Sequence, residues 1–166
     1  MKRKPKVLFF STGDSTRSQM AEGFLRAFAG DEVVVASTAV QSIERDPLVL
    51  EVMNEVGVDI SSQHPKDIGQ FFKESFSFVV TLCDSSTEKF PVWPFCRNVS
   101  HWNLTDPEQA IGTPEQKREA FRGVRDKISL NVREFLTKSL PLLHSDNGAA
   151  GIVKSRPAAA AAASTR

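Results

Sequence analysis

The sequence predicts an α/β fold, a four-stranded parallel sheet in a three-layer, doubly wound arrangement. Three observations predict it. Runs rich in valine and phenylalanine alternate with segments of helical periodicity, the pattern of a parallel sheet whose crossovers are helices. These runs are nearly continuously apolar, as strands covered on both faces are. The first run ends in a short loop of glycine and small hydroxyl residues that leads directly into a helical pattern, and sheets of this kind bind ligands at the carboxyl ends of their strands.

Taken in order, Lys6–Phe10 is the first strand. A helix follows from about Arg17 to Ala29, with Met20, Phe24, Leu25 and Phe28 on one face and Gly30 as its stop. Glu32–Ser37 is the second strand. Asp46-Pro47 opens the second helix, a cap residue followed by proline at a position that needs no N–H donor. Leu50, Met53 and Val56 mark this helix and Gly57 ends it. A third helix is expected over Pro65–Lys73, then a strand over Phe76–Leu82 and a shorter one over Asn98–Trp102. The last helix is long. Thr113-Pro114-Glu115-Gln116 is a capping box with proline inside it, and Phe121, Val124, Ile128, Val132 and Phe135 mark the buried face. A single domain over residues 1–144 is expected, and residues 145–166, Gly-, Ala- and Ser-rich with six consecutive alanines, read as a disordered low-complexity tail.

Composition narrows the function classes. The chain has 166 residues, 40% hydrophobic and 25% charged, with a net charge of +1. That balance gives no reason to expect a nucleic-acid or membrane partner. No apolar run reaches the roughly 18 residues that span a bilayer. The apolar stretch after the basic start Met1–Lys6 is too short for a signal peptide, so a cytoplasmic location is the expectation. Two cysteines, Cys83 and Cys96, make neither a disulfide framework nor a zinc site.

The chemistry concentrates in Ser11–Arg17, S-T-G-D-S-T-R. A strand, a tight loop and a helix N-terminus build an oxyanion cradle: backbone N–H groups converge, the helix dipole adds partial positive charge, and an arginine fork grips two oxygens. Ser11, Thr12, Ser15 and Thr16 supply hydroxyls, Gly13 is expected to allow unusual backbone angles, and Ser18 is placed to hydrogen-bond to residue 11. Phosphate, sulfate or arsenate is the expected ligand. Asp14 opposes it: at an effective dielectric near 20 and about 5 Å, like charges repel by about 3 kcal/mol. The plain alternative is an ordinary turn capped by serine or threonine. Taken alone, Asp106-Pro107 is a loop initiator and Cys83 a small buried apolar residue.

Five residues separate Ser11 from Arg17, the spacing of the cysteine-phosphatase loop C-x5-R with serine in first place. The stretch V-L-F-F-S-T-G-D-S-T-R-S-Q-M-A-E-G-F-L resembles the start of the thioredoxin-coupled arsenate reductases, which share the fold of the low-molecular-weight protein tyrosine phosphatases, a flavodoxin-like arrangement. The likeness continues through V-M-N-E-V-G-V-D-I-S, F-V-V-T-L-C-D, H-W-N-L-T-D-P and G-T-P-E-Q-K-R-E-A-F-R-G-V-R-D-K-I, covering roughly Lys6 to Phe135 in the family order. The resemblance implies three cysteines in relay: one opening the loop to attack arsenate, one in T-L-C, and one seven residues further on that closes a disulfide for thioredoxin. In this chain those positions hold Ser11, Cys83 and Phe90. It also implies Arg17 as the anion-gripping arginine and Asp106 as the general acid. Some members hold potassium through side chains that fall here on Asp14, Glu22, Ser37 and Asp67.

The thiolate is the nucleophile in such loops, and a serine hydroxyl is far too weak an acid to replace it or to enter a thiol–disulfide cascade. His64, His101 and His144 lie far off in the chain, so the sequence places no base beside Ser11. The expectation is therefore an oxyanion-binding relative without the thiol chemistry, requiring no cofactor, with potassium at the side chains named above as an optional ion. Its partners would be phosphate, arsenate or sulfate, or a phosphorylated protein, and not thioredoxin. The alternative is an active phosphatase or reductase-like enzyme, with Ser11 as a weak nucleophile or as a Cys-to-Ser form that traps substrate.

Overall fold

The computed structural model describes residues 3–41, 43–89, 92–93 and 96–144; Phe90 and the 145–166 tail lie outside them. Four parallel strands form one sheet: β1 (Lys6–Ser11), β2 (Val34–Ala39), β3 (Phe78–Cys83) and β4 (Val99–Asn103), in the order β2-β1-β3-β4. The chain leaves β1 toward one side to make β2 and returns to the other side for β3. Ser11, paired with Ala39 and Leu82, therefore ends a central strand at the point where the strand order reverses. A crevice opens at such a point.

Side chains alternate along the strands and separate two apolar layers. Val7, Phe9, Val80 and Leu82 point into the larger one, which three helices cover: α1 (Thr16–Ala29), α2 (Pro47–Glu55) and α3 (Pro114–His144). Met20, Phe24 and Leu25 of α1 and the expected stripe Phe121, Val124, Ile128, Val132 and Phe135 of α3 are all buried in it. Full burial of side chains of this size contributes roughly 1.5–3 kcal/mol each. The helix ends follow their sequence signals. Gly30 takes φ 54° after α1, Asp46 accepts from the Leu48 N–H ahead of α2, and Thr113 and Gln116 bond reciprocally at the start of α3.

Leu8 and Val79 point to the opposite face, against Phe71, Phe76 and Trp93. The helix expected over Pro65–Lys73 is here only a 3-10 turn, Ile68–Gln70. The Asp67 carboxylate accepts from the Gly69 N–H at 2.6 Å, a local bond that competes with helix formation, and Gly69 adds its own helix penalty. Three strands start later than expected, β4 by a single residue at Val99. The 3-10 turn Gly30–Glu32 extends α1, and Phe76 turns into the second apolar layer before β3 begins. In α2 the buried residues are Val49, Val52 and Met53, whereas Val56 stands past the helix end and is exposed. Among the described residues no helix is long and apolar enough to cross a membrane.

Candidate functional site

The turn from β1 to α1 is shaped by its own side chains. Asp14 Oδ1 accepts from the Thr16 N–H at 2.8 Å and so caps α1. Ser11 Oγ accepts from the Ser18 N–H at 2.8 Å, while the Ser18 hydroxyl donates back to the Ser15 carbonyl at 3.1 Å. The Ser18–Ser11 bond expected from the sequence thus forms through the backbone of Ser18. Gln19 donates to Ser15 Oγ at 2.8 Å, and the Thr12 N–H bonds to the Leu82 carbonyl at 3.3 Å, tying the loop to β3. The N–H groups of Gly13, Asp14, Ser15 and Arg17 have no acceptor among the described residues. Ser11, Ser15, Thr16, Arg17 and Ser18 are almost wholly buried.

Gly13 is required for a different reason from the one the sequence suggests. Its φ is not positive; the positive-φ glycines among the described residues are Gly30, Gly57 and Gly112. A Cβ on Gly13 would instead stand 3.1 Å from an Arg17 amino nitrogen and 3.2 Å from Glu88 Oε1, closer than a Cβ ordinarily approaches, so a side chain there would press on both groups.

Arg17 lies at the centre with no exposed surface. It donates to both oxygens of Glu88, at 3.0 and 3.2 Å, and to the Leu104 carbonyl at 3.0 Å, and it stands 3.9 Å from Asp106 Oδ2. Burial works against its charge, but the Glu88 bonds and the charges of Glu88, Asp106 and Asp14 outweigh that, and its pKa is raised. Arg17 Nε and Thr12 Oγ1 are buried without a hydrogen-bond partner among the described residues. Buried groups of this kind are rare in folded proteins, and a water or an anion in the loop would satisfy them; Thr12 also lies near enough to Glu88 and Cys83 to influence both.

The carboxyl groups around Arg17 respond differently from one another. Asp106 accepts from the Glu108 N–H at 3.0 Å; burial, and then the charge of Asp14, pushes its pKa up. Glu108 accepts from the Thr16 hydroxyl and is pushed up to about 7, first by burial and also by Asp14 and Asp106. Burial would raise Glu88 too, yet the bonds from Arg17 and the Asp84 N–H hold it below the ordinary range. An upward shift at Asp106, which faces Arg17 at 3.9 Å, favours retention of a proton there, the direction a general acid needs. Cys83, at the end of β3, is buried, and burial pushes its thiol up, so it stays protonated at neutral pH.

The sequence-predicted residues fall into two groups. Ser11 through Ser18, Cys83 and Asp106 come together at the strand ends. Glu22 and Ser37 meet lower down, where the buried Glu22 accepts from the Ser37 hydroxyl and pairs with Arg26 at 2.5 Å and Lys66 at 3.5 Å. Asp14 and Asp67, grouped with them by sequence, bond locally to the Thr16 and Gly69 N–H groups. His101 pairs with the Thr81 hydroxyl, and no histidine bonds to Ser11 among the described residues. Two residues were missed. Glu108 carried a weak signal, since Asp106-Pro107 opens the 3-10 turn Pro107–Gln109 that positions it. Glu88 carried none, because only the fold of the Asp84–Glu88 turn returns its side chain to Arg17.

Residues 6–142 match the family model of the low molecular weight phosphotyrosine protein phosphatases. An arsenate reductase of Halalkalibacterium halodurans is 38% identical over 132 residues, 80% of this chain and 95% of that one. An arsenate reductase of Bacillus subtilis is 39% identical over 129 residues, 78% and 93% of the two chains. A solved structure of an arsenate reductase in its phosphate-binding state superposes with a TM-score of 0.69 at 32% identity, covering 81% of this chain and 98% of the other. A serine thus stands at the head of a C-x5-R-spaced loop in a chain that belongs to the low molecular weight phosphotyrosine protein phosphatase family.

Proposed function

We propose that this chain binds a tetrahedral oxyanion, phosphate, arsenate or sulfate, in the Ser11–Arg17 loop and does not carry out the thiol chemistry for which such loops are built. The observation that carries the reading is the head of the loop. Ser11 Oγ accepts from the Ser18 N–H at the base of the loop, whose arginine is buried and stands 3.9 Å from an Asp106 whose pKa burial pushes up. Donors for an anion are present, including two orphaned ones at Thr12 and Arg17. An oxygen with a pKa far above neutrality replaces the sulfur that would be ionised there. The phosphate-binding state of a similar arsenate reductase supports the choice of ligand. A phosphorylated protein is the larger ligand of the same chemistry.

The reading requires no cofactor. Glu22, the buried carboxylate of the grouping assigned to potassium, is paired with Lys66 and Arg26, and we assign its counter-charge to those side chains.

Calorimetric titration with phosphate, beside turnover of an aryl phosphate and of arsenate with thioredoxin, tests the proposal. The native chain is expected to bind phosphate and turn over neither substrate above a Ser11→Ala control. Ser11→Cys is expected to gain aryl-phosphate turnover without thioredoxin-linked arsenate reduction, because Phe90 stands where the resolving thiol would be. Repeated turnover by the native chain would overturn it.

A further inference from the structure

The fork of Arg17 is already engaged. Its two amino nitrogens donate to the two oxygens of Glu88, the parallel arrangement through which a guanidinium grips a carboxylate or a phosphate. Glu88 Oε1 also lies 3.2 Å from where a Cβ on Gly13 would be, so the carboxylate rests over the backbone of the loop itself. Its other oxygen accepts from the Asp84 N–H at 2.6 Å. A compact turn holds this arrangement: Glu88 N–H and Thr87 N–H both bond to the Asp84 carbonyl, and the Ser86 N–H bonds to the Asp84 carboxylate. Arg17 has no exposed surface and is anchored to the Leu104 carbonyl, so it cannot swing aside to serve a second acid.

We propose that Glu88 is a built-in competitor for the oxyanion seat, a specificity-determining residue that holds Arg17 in the empty protein and yields it only to a tetrahedral dianion. This rests on the oxyanion-binding reading and deepens it. A monoanion offers Arg17 no more charge than Glu88 does, and it lacks the covalent tether that keeps Glu88 at high local concentration. A dianion offers more charge, plus oxygens for the free N–H groups of residues 13–15 and 17 and for the orphaned Thr12 hydroxyl. When Glu88 leaves, the Asp84 N–H loses its acceptor. Occupancy of the loop is therefore reported to the turn that follows Cys83 at the end of β3.

The test is calorimetric titration of native protein, Glu88→Gln and Glu88→Ala with inorganic phosphate and with formate, alongside hydrogen exchange of residues 84–88. Phosphate is expected to bind both variants at least tenfold more tightly than it binds the native chain. Formate is expected to bind Glu88→Ala measurably and the native chain not at all. Phosphate should accelerate exchange at Asp84 in the native protein and leave it unchanged in Glu88→Ala. Should loss of Glu88 weaken the fold by leaving Arg17 unpaired, phosphate is expected to raise the melting temperature of Glu88→Ala more than that of native protein. The isosteric Glu88→Gln gives the affinity comparison independently. Equal phosphate affinity in all three proteins overturns the competitor role and leaves the oxyanion reading standing. Absence of phosphate binding from all three overturns both.

Discussion

Two buried arginines in this molecule have opposite surroundings. Arg125 of α3 donates to the Val52 carbonyl at 2.9 Å, to Glu55 at 2.8 Å and to its neighbour Asp126 at 2.8 Å. Arg122 binds the same Glu55, and its hydrogen bonds, with those of Arg125, hold that carboxyl down to about 2. Every charge there has a partner, and the partners belong to two packed helices. Arg17 likewise takes one backbone carbonyl and one bidentate carboxylate, but its Nε is orphaned. The acids beyond Glu88 are buried and lie close to Asp14 and to one another, so burial first and then like charge push Asp106 and Glu108 up instead of down. A matched cluster joins helices. A cluster with surplus acid and unspent donors has a higher free energy while empty, and a ligand can lower it.

The sharpest way to separate the two is to remove each arginine. In a Ser11→Cys background, Arg17→Ala is expected to lower aryl-phosphate turnover by about a thousandfold, the scale for removing preorganised donors from a developing oxyanion. In the native background it should lower phosphate affinity about a hundredfold, as loss of a charge-assisted fork does. Arg125→Ala should leave both quantities unchanged and cost about 2 kcal/mol in denaturant unfolding, because it strands the Val52 carbonyl and unties α2 from α3. If Arg125→Ala weakened phosphate binding as much as Arg17→Ala, the contrast between the clusters would be empty.

Asp106→Asn comes next. In the Ser11→Cys background it should reduce turnover of an aryl phosphate with a poor leaving group by about a hundredfold. It should have little effect where the leaving group needs no proton. A uniform loss on both substrates would make Asp106 a positioning residue for Arg17, which it faces at 3.9 Å.

The two clusters should also answer pH in opposite directions. Between the ordinary carboxylate range and about 7, Glu108 keeps its proton in the folded chain and loses it in the unfolded one. Folding then binds more protons than unfolding does, so this contribution to stability is present at low pH and is lost as pH rises through about 7. Glu55 is the reverse: its contribution is present above the ordinary range and is lost as pH falls toward about 2. Urea titrations at a series of pH values should show a decline from pH 5 to 8 that Glu108→Gln abolishes. Glu55→Gln should leave that decline in place and flatten the acid limb.

The comparison also explains what the sequence disclosed. The strands, α1, α2, α3 and the loop were legible because each is written locally, in apolar runs, caps and a contiguous C-x5-R spacing. The backbone freedom expected of Gly13 is not used; sequence shows that a Cβ is missing and not which atoms, here those of Arg17 and Glu88, would lie against it. The segment over Pro65–Lys73 read as a helix because the Asp67–Gly69 bond that arrests it is one short-range contact with no periodic signature. Glu88 was invisible and Glu108 only weakly marked by Asp106-Pro107, because they reach Arg17 and Thr16 from 71 and 92 residues away, by a turn and a 3-10 segment whose paths only the folded sheet defines.

The smallest expected effect concerns the second polar cluster under the loop. Glu22 is buried and pairs with Arg26 at 2.5 Å, and a second cation, Lys66, stands 3.5 Å away and a third exposed. If that ammonium supplies the charge a monovalent ion would otherwise bring, native protein should melt at the same temperature in potassium chloride and in a bulky monovalent chloride. Lys66→Ala should lose about 0.5 kcal/mol, as expected for a half-exposed pair. The Lys66 backbone remains tied through its carbonyl, which accepts from the Thr38 hydroxyl at 2.7 Å, so the substitution removes charge without moving the chain. In this variant potassium and the bulky cation should again give the same melting temperature, because the Ser37 hydroxyl bonds directly to Glu22 and Arg26 still pairs with it. A native protein that is itself stabilised by potassium would show that Lys66 does not fill the place, and that Glu22 and Ser37 accept an ion beside it.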